Sequence, residues 1–190
     1  MPRARARLDH VAIAAAFAPD GLHGVSAAQV AARAGIAKPT LYAHGRSKEQ
    51  VFLACVEAEV ERLLDRLYEA EQDTRDLGAA RRADALALAI LEHAERWPDS
   101  ARLLHVTARH RTSTVATAVD AALERIPARV ADRLRCDREH AVGLCGAAAA
   151  VALAGVADRT TAAARLGDAF GRKLDADVSA DATVQTVSFY

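Results

Sequence analysis

Residues 25–49 read VSAAQVAARAGIAKPTLYAHGRSKE, and the punctuation of this stretch decides how the first quarter of the chain is built. Ser26 precedes an apolar-periodic run and Gln29 follows three residues later. A serine hydroxyl there accepts from a free amide of the next turn while the glutamine reaches back, so a helix begins at this point. The helix covers Ala27–Ala34 and turns Val30, Ala31 and Ala34 inward. Gly35 supplies the tight turn that ends it, and Ile36 anchors that turn. Pro39 suits the first position of a third short helix, which runs to about His44. Gly45 stops it, and Ser47 caps a longer helix with Gln50 at its third position.

Outward from this stretch the periodicity stays helical. Upstream, Arg5–Ala18 forms a first helix with Leu8, Val11, Ala12, Ala15 and Ala16 on one apolar face, extended by Ile13 and Phe17; Pro19, Asp20 and Gly21 end it. Downstream, a fourth helix runs from Lys48 to about Glu71, with Val51, Phe52, Cys55, Val56, Val60, Leu63, Leu64 and Leu67 inward. Its outer face carries Glu57, Glu59, Glu61, Arg62, Asp65 and Arg66. A polar loop follows over 73–80. The fifth helix spans roughly Ala80–Arg96 and stops at Trp97-Pro98. Asp99 or Ser100 caps a sixth that ends near Arg111. The seventh covers about Ser113–Ile126, where Pro127 interrupts it before a short continuation to Leu134. Asp137 caps an eighth reaching about Val156, and Thr160–Leu174 is the ninth. The last 16 residues, Asp175–Tyr190, are poor in helix formers and read as a flexible tail with a weak strand pattern near Val184–Phe189.

Composition agrees with an all-α fold. Apolar residues make up 52% of the 190, and the filler is Ala, Leu and Arg, all good helix formers. The formal net charge is zero, but it is unevenly spread. Residues 1–50 hold seven basic side chains (Arg3, Arg5, Arg7, Arg33, Lys38, Arg46, Lys48) against three acids (Asp9, Asp20, Glu49), leaving 18 against 22 in the remainder. A basic head on an acidic body is the asymmetry expected of a chain that meets phosphates at one end. Cys55, Cys136 and Cys145 have no metal-ligand spacing and sit within helical patterns, so reduced core thiols are expected. No apolar run reaches the roughly 18 residues of a membrane span, and no signal-peptide pattern opens the chain. A cytoplasmic protein without a membrane partner is the expectation.

Two short helices joined by a turn, the second opening Lys38-Pro39-Thr40-Leu41-Tyr42, make a helix-turn-helix candidate. A DNA major groove about 12 Å wide admits one helix, whose first turn must carry polar groups to base edges and phosphates. Lys38, Thr40, Tyr42 and His44 supply such groups, while Ile36 and Leu41 pin the helix to its core. Ala34, Gly35 and Ala37 let the helices cross closely, and Lys48 adds a charge where phosphates would lie.

From Gly21 to Glu49 the chain resembles the N-terminal domain of TetR-family regulators. The matching residues are Gly21, Val25-Ser26, Val30-Ala31, Ala34-Gly35-Ile36, Pro39-Thr40-Leu41-Tyr42, His44 and Ser47-Lys48-Glu49. The resemblance implies a three-helix DNA-binding domain over 1–47, joined by a long helix to a helical effector-binding and dimerisation domain over 48–174, with the tail at 175–190. It implies a homodimeric repressor released from a palindromic double-stranded operator by a small-molecule effector, with no cofactor and no enzyme activity. Ser26, Lys38, Pro39, Thr40, Tyr42, His44 and Lys48 fall where members of the family touch DNA, Pro39 against a thymine methyl. Gly45 departs from the bulky apolar residue usual there, a change expected to loosen the joint between the third and fourth helices. Ala27 and Ala28 replace residues that are often polar, which keeps open a relative that works through a protein partner instead.

In that family the fifth and sixth helices line the effector cavity, so His93, Trp97, His105 and Arg109 are the candidate effector-binding residues, with His110 beside them. Aromatics total only 4%, and the Leu86–Leu91 and Val115–Leu123 stretches are aliphatic, which suits a small or aliphatic effector. Gly143, Gly146, Ala147, Ala150, Ala154 and Gly155, with Ala164, Gly167, Ala169 and Phe170 of the ninth helix, are spaced for close helix approach across a two-fold interface. For an enzyme the sequence offers no His-Glu-x-x-His, no phosphate loop and no nucleophile elbow. Catalytic and metal-ligating residues are therefore expected to be absent.

Overall fold

A computed structural model describes residues 9–42, 45–107 and 115–172. Among them are helices α1 (His10–Phe17), α2 (Ala27–Arg33), α3 (Lys38–Tyr42), α4 (Lys48–Thr74), α5 (Ala79–Arg96), α6 (Pro98–Thr107), α7 (Ala116–Leu134) and α8 (Arg138–Leu153). A further helix, α9, covers residues 159–172, and the described residues include no strand. The chain is all-α, as its periodicity requires. Arg3, Arg5, Arg7, His44, Arg109, His110 and the tail 175–190 lie outside the described residues.

The described residues group into two compact units, one drawn from 1–62 and 97–125, the other from 63–96 and 126–190. In the first, α1 packs on α2 and on α6, and α2 on α3. Asp9 caps α1 by accepting from the amides of Val11 and Ala12. The buried face of α1 is Ile13, Ala14, Ala16 and Phe17, whereas Val11, expected inward, is exposed. Phe17 decides the register, because its ring meets Phe52 of α4 edge-on at 5.0 Å and 80°, a geometry aromatic quadrupoles favour. In the second unit α5 packs along α8. Asp158 caps α9 through the amide of Thr161. Gly167 of α9 lies so close to Asp84 of α5 that a β-carbon would sit 2.6 Å from its backbone nitrogen. Its lack of a side chain therefore serves contact within the unit.

Three helix readings are corrected. Pro127 does not interrupt α7, which runs unbroken to Leu134. Proline removes one amide donor and crowds the turn before it, but Val119, Ala122, Ile126, Val130 and Leu134 form a buried line at spacings of three and four that holds the helix across that gap. Helix α4 continues past Glu71 to Thr74, whose hydroxyl donates to the Ala70 carbonyl at 2.8 Å. Glu59, expected on the outer face of α4, is 0% exposed. It stands four residues after Cys55 and eight before Leu67, within the buried stripe, so register prevailed over residue type. The Arg62 guanidinium pairs with it one turn on and lies 5.2 Å over the Trp97 ring.

Burial, with Glu59 adding its charge, pushes the Cys55 thiol up to about 12, and burial near Cys136 does the same for Cys145. Cys136 is raised as well, chiefly by desolvation. The thiolate is the nucleophile, so native protein at pH 7.5 is expected to react with iodoacetamide far more slowly than urea-unfolded protein at all three positions. Mass spectrometry after a short pulse checks this, and rapid labelling of Cys55 in the native state would contradict its burial.

Candidate nucleic-acid interface

The presented helix α3 has only five residues, too few to hold itself together in water. What holds it is a set of local devices. Ser26 Oγ accepts from the Gln29 amide at 3.2 Å while Gln29 Oε1 accepts from the Ser26 amide at 2.8 Å, closing the capping box of α2. At the other end Gly35 adopts φ +67°, with its amide on Ala32 and the Ile36 amide on the Ala31 carbonyl at 2.9 Å. This doubly bonded turn needs a left-handed residue after the helix, the conformation glycine takes without penalty. The turn delivers the chain to Ala37, whose carbonyl receives the amides of Thr40 and Leu41. Leu41 is fully buried and fixes the rotation of α3. Lys38 and Pro39 are then exposed, Thr40 is half-buried and Tyr42 is exposed.

Lys48 ties the start of α4 to the loop before α2. Its ammonium donates to the carbonyls of Leu22 at 2.6 Å and Val25 at 2.8 Å. An ammonium has three donors, so one remains for a further acceptor. Ser47 Oγ accepts from the Gln50 amide, and Gln50 Oε1 from the Arg46 amide at 2.8 Å, which completes the α4 start. Arg33, counted among the basic residues of the head, is exposed but engaged locally: it donates to the Ala16 carbonyl and pairs with Asp20 at 2.8 Å. Lys38 and Arg46 keep their charges exposed.

Gly45 is a tight joint rather than a loose one. A β-carbon there would stand 2.9 Å from both the backbone nitrogen and Cγ2 of Val51. A bulky side chain has no room on this backbone.

Ser26, Lys38, Pro39, Thr40, Tyr42 and Lys48 thus belong to one small substructure of the first unit. The effector candidates belong to both units. His93 is buried on α5 in the second unit, while Trp97, beneath Arg62, and His105 of α6 are half-buried in the first. None of them lines the open cleft of about 430 Å³ in the second unit, which is bounded by Glu71, Gln72, Thr74, Arg75, Arg82, Leu86, Asp132, Arg133 and Arg135. That cleft was missed because its parts come from three helix ends. Glu71 alone carried a signal, since it falls four residues after Leu67 on the buried stripe. No group of His, Cys, Asp or Glu suited to a metal occurs among the described residues, and none of their helices is long and apolar enough to cross a membrane.

Residues 11–55, which contain all of this substructure, match the family model for bacterial regulatory proteins of the tetR family. Over these residues the chain is similar to that family. Solved structures extend the likeness to the whole fold. A TetR-like transcriptional regulator from Rhodococcus sp. RHA1 is 24% identical with a TM-score of 0.69, over 87% of this chain and 93% of that one. FadR from Bacillus subtilis, solved in complex with stearoyl-CoA, is 12% identical with a TM-score of 0.65, over 85% and 96%. AibR, solved in complex with isovaleryl coenzyme A and operator DNA, is 18% identical with a TM-score of 0.65, over 83% and 94%. At these identities the likeness is one of fold.

Two substitutions test how this helical head is held. Lys48→Met removes a charged donor from two carbonyls and is expected to lower stability by about 1–3 kcal/mol, read from urea unfolding; an unchanged midpoint would show that Lys48 is not a structural tie. Gly45→Ala forces a β-carbon onto Val51 and is expected to destabilise by roughly 1–3 kcal/mol. Should it unfold like the parent chain, the joint has slack.

Proposed function

We propose that this chain is a repressor that binds a palindromic operator as a homodimer and is released by a small-molecule effector. The observation that carries this reading is the division of labour on α3, where Leu41 is buried while Lys38, Pro39 and Tyr42 face outward. Residues 1–47 form the DNA-reading head and 48–174 the effector and dimerisation body. Ser26, Lys38, Pro39, Thr40, Tyr42, His44 and Lys48 make the contacts: Lys38 toward base acceptors or phosphate, Tyr42 and the remaining donor of Lys48 toward the backbone.

The dimer reading is supported by α8. Ala141, Leu144 and Ala148 turn its buried side inward, whereas Val142, Gly146, Ala150 and Leu153 are exposed one above another at spacings of three and four. A β-carbon on Gly146 would meet nothing within 4 Å. A stripe with small residues at its centre and exposed Val and Leu at its ends suits a self-complementary two-fold contact. Such a dimer sets two heads on two half-sites about one DNA turn apart.

For the effector, the 4% aromatic content and the aliphatic faces of α5 and α7 favour an aliphatic compound, held with the help of His93, Trp97, His105 and Arg109. The acyl-CoA complexes of FadR and AibR place such ligands in proteins of the same fold. An effector releases DNA only through its difference in affinity between the bound and free forms. No enzyme activity is part of this reading, and the cytoplasm is its setting.

Selection of bound duplexes from random DNA is expected to return a palindrome, with affinity falling steeply as salt rises. Tyr42→Ala is expected to weaken that binding by about 1–3 kcal/mol without changing stability. Recovery of nothing above background at low salt would favour a homologue acting through a protein partner, to which the alanines at 27 and 28 already point. Leu153→Glu is expected to yield monomers in sedimentation, and a persistent dimer would remove α8 from the interface.

A further inference from the structure

Arginines outnumber carboxylates in the lining of the cleft in the second unit, even though Arg75 lies 3.6 Å from Asp76. Four of its nine lining residues are arginines: Arg75 after α4, Arg82 in the first turns of α5, Arg133 in the last turn of α7 and Arg135 just beyond it. Its two carboxylates do not balance them. Glu71, 6% exposed, is already saturated, with Arg129 gripping both its oxygens at 2.9 and 2.8 Å and Arg133 Nε 2.8 Å from Oε2. Arg129 is held in place by the Tyr68 ring 5.6 Å from its guanidinium. Asp132 is largely exposed and stands 3.6 Å from Arg133. The carboxy-terminal ends of α4 and α7 add about half a negative charge each, which still leaves the lining positive.

Two of the arginines stand where the fold itself has no use for them. Arg82 is half-buried, and its Nε makes no hydrogen bond among the described residues. Arg135 is the one described residue other than glycine with positive φ, at +54°. It occupies the left-handed position that ends α7, with the Cys136 amide bonded to the Ala131 carbonyl at 3.1 Å. Glycine is the residue this cap favours, so an arginine there is set against the backbone's preference. We propose that this cleft is a binding site for a small, multiply charged anion bearing phosphate groups or several carboxylates. Guanidinium forks match both kinds of oxygen pair. The volume of about 430 Å³ lies within the roughly 300–1,000 Å³ of small-molecule sites and is too small for a macromolecule to enter. This site is independent of the DNA contacts and of the aliphatic effector proposed above.

Calorimetric titration of the full chain with inorganic pyrophosphate, at constant ionic strength, tests the assignment. One saturable site per chain is expected. Arg82→Gln and Arg135→Gly are each expected to weaken it at least tenfold. Arg135→Gly also separates binding from folding, because it relaxes the cap and should melt at the same temperature as the parent or higher. Arg81→Gln, which alters a highly exposed neighbour outside the lining, should bind like the parent. Displacement of pyrophosphate by citrate would assign a polycarboxylate as ligand class, and failure of citrate to compete would assign a phosphate. Absence of saturable heat, or an equal loss in Arg81→Gln, would overturn the proposal.

Discussion

A five-residue helix cannot be stable in isolation, because the nucleation penalty of the first turn is never recovered over so few hydrogen bonds. The presentation of α3 therefore depends on groups outside it. Burial of Leu41 sets its rotation, the left-handed Gly35 sets its direction relative to α2, and the Lys48 ammonium holds the α4 start against the carbonyls of Leu22 and Val25. These constraints are short in range and rigid. They convert three marginal helices into one surface on which Lys38, Pro39 and Tyr42 have no choice but to face outward.

Charge in this molecule is sorted by the same logic. The head looked basic by count, yet Arg33 is consumed by Asp20 and the Ala16 carbonyl, and Lys48 spends two of its donors on backbone. Exposed Lys38 and Arg46, with the remaining donor of Lys48, are what is left for a partner among the described residues. In the second unit the sorting runs the other way. Glu71 is overmatched by Arg129 and Arg133, and Arg82 and Arg135 beyond them make no ion pair among the described residues. Neutral overall charge thus hides two separate positive surfaces, one on a head and one in a cleft, each of which matters only through its local geometry.

Burial also explains why some residue types mislead. Glu59 is an acid that reads as surface, but its position on α4 falls in the same arc as Cys55, Val56, Val60 and Leu67, and Arg62 over Trp97 supplies the counter-charge that makes this tolerable. Pro127 reads as a break, but buried side chains on both sides of it hold α7 together. In each case the helical period was the better guide than the chemistry of the single residue.

The all-α class, the nine helices found among the described residues, the capping box at Ser26 and the glycine turn at 35 were legible from residues 25–49 and the periodicity around them, because caps, turns and amphipathic stripes are encoded within a few neighbours. So was the membership of Lys38, Pro39, Thr40, Tyr42 and Lys48 in one substructure, since they lie within eleven residues of one another. What only the tertiary structure decided is the closeness of Gly45 to Val51 backbone across a sharp joint and, between partners far apart in sequence, the capture of Lys48 by carbonyls more than twenty residues upstream, the contact of Gly167 with α5, and the arginine cleft assembled from the ends of α4, α5 and α7. Local pattern fixes which face of a helix is apolar, but it holds no information on which distant side chains will share a space, because that follows from packing of whole helices against one another.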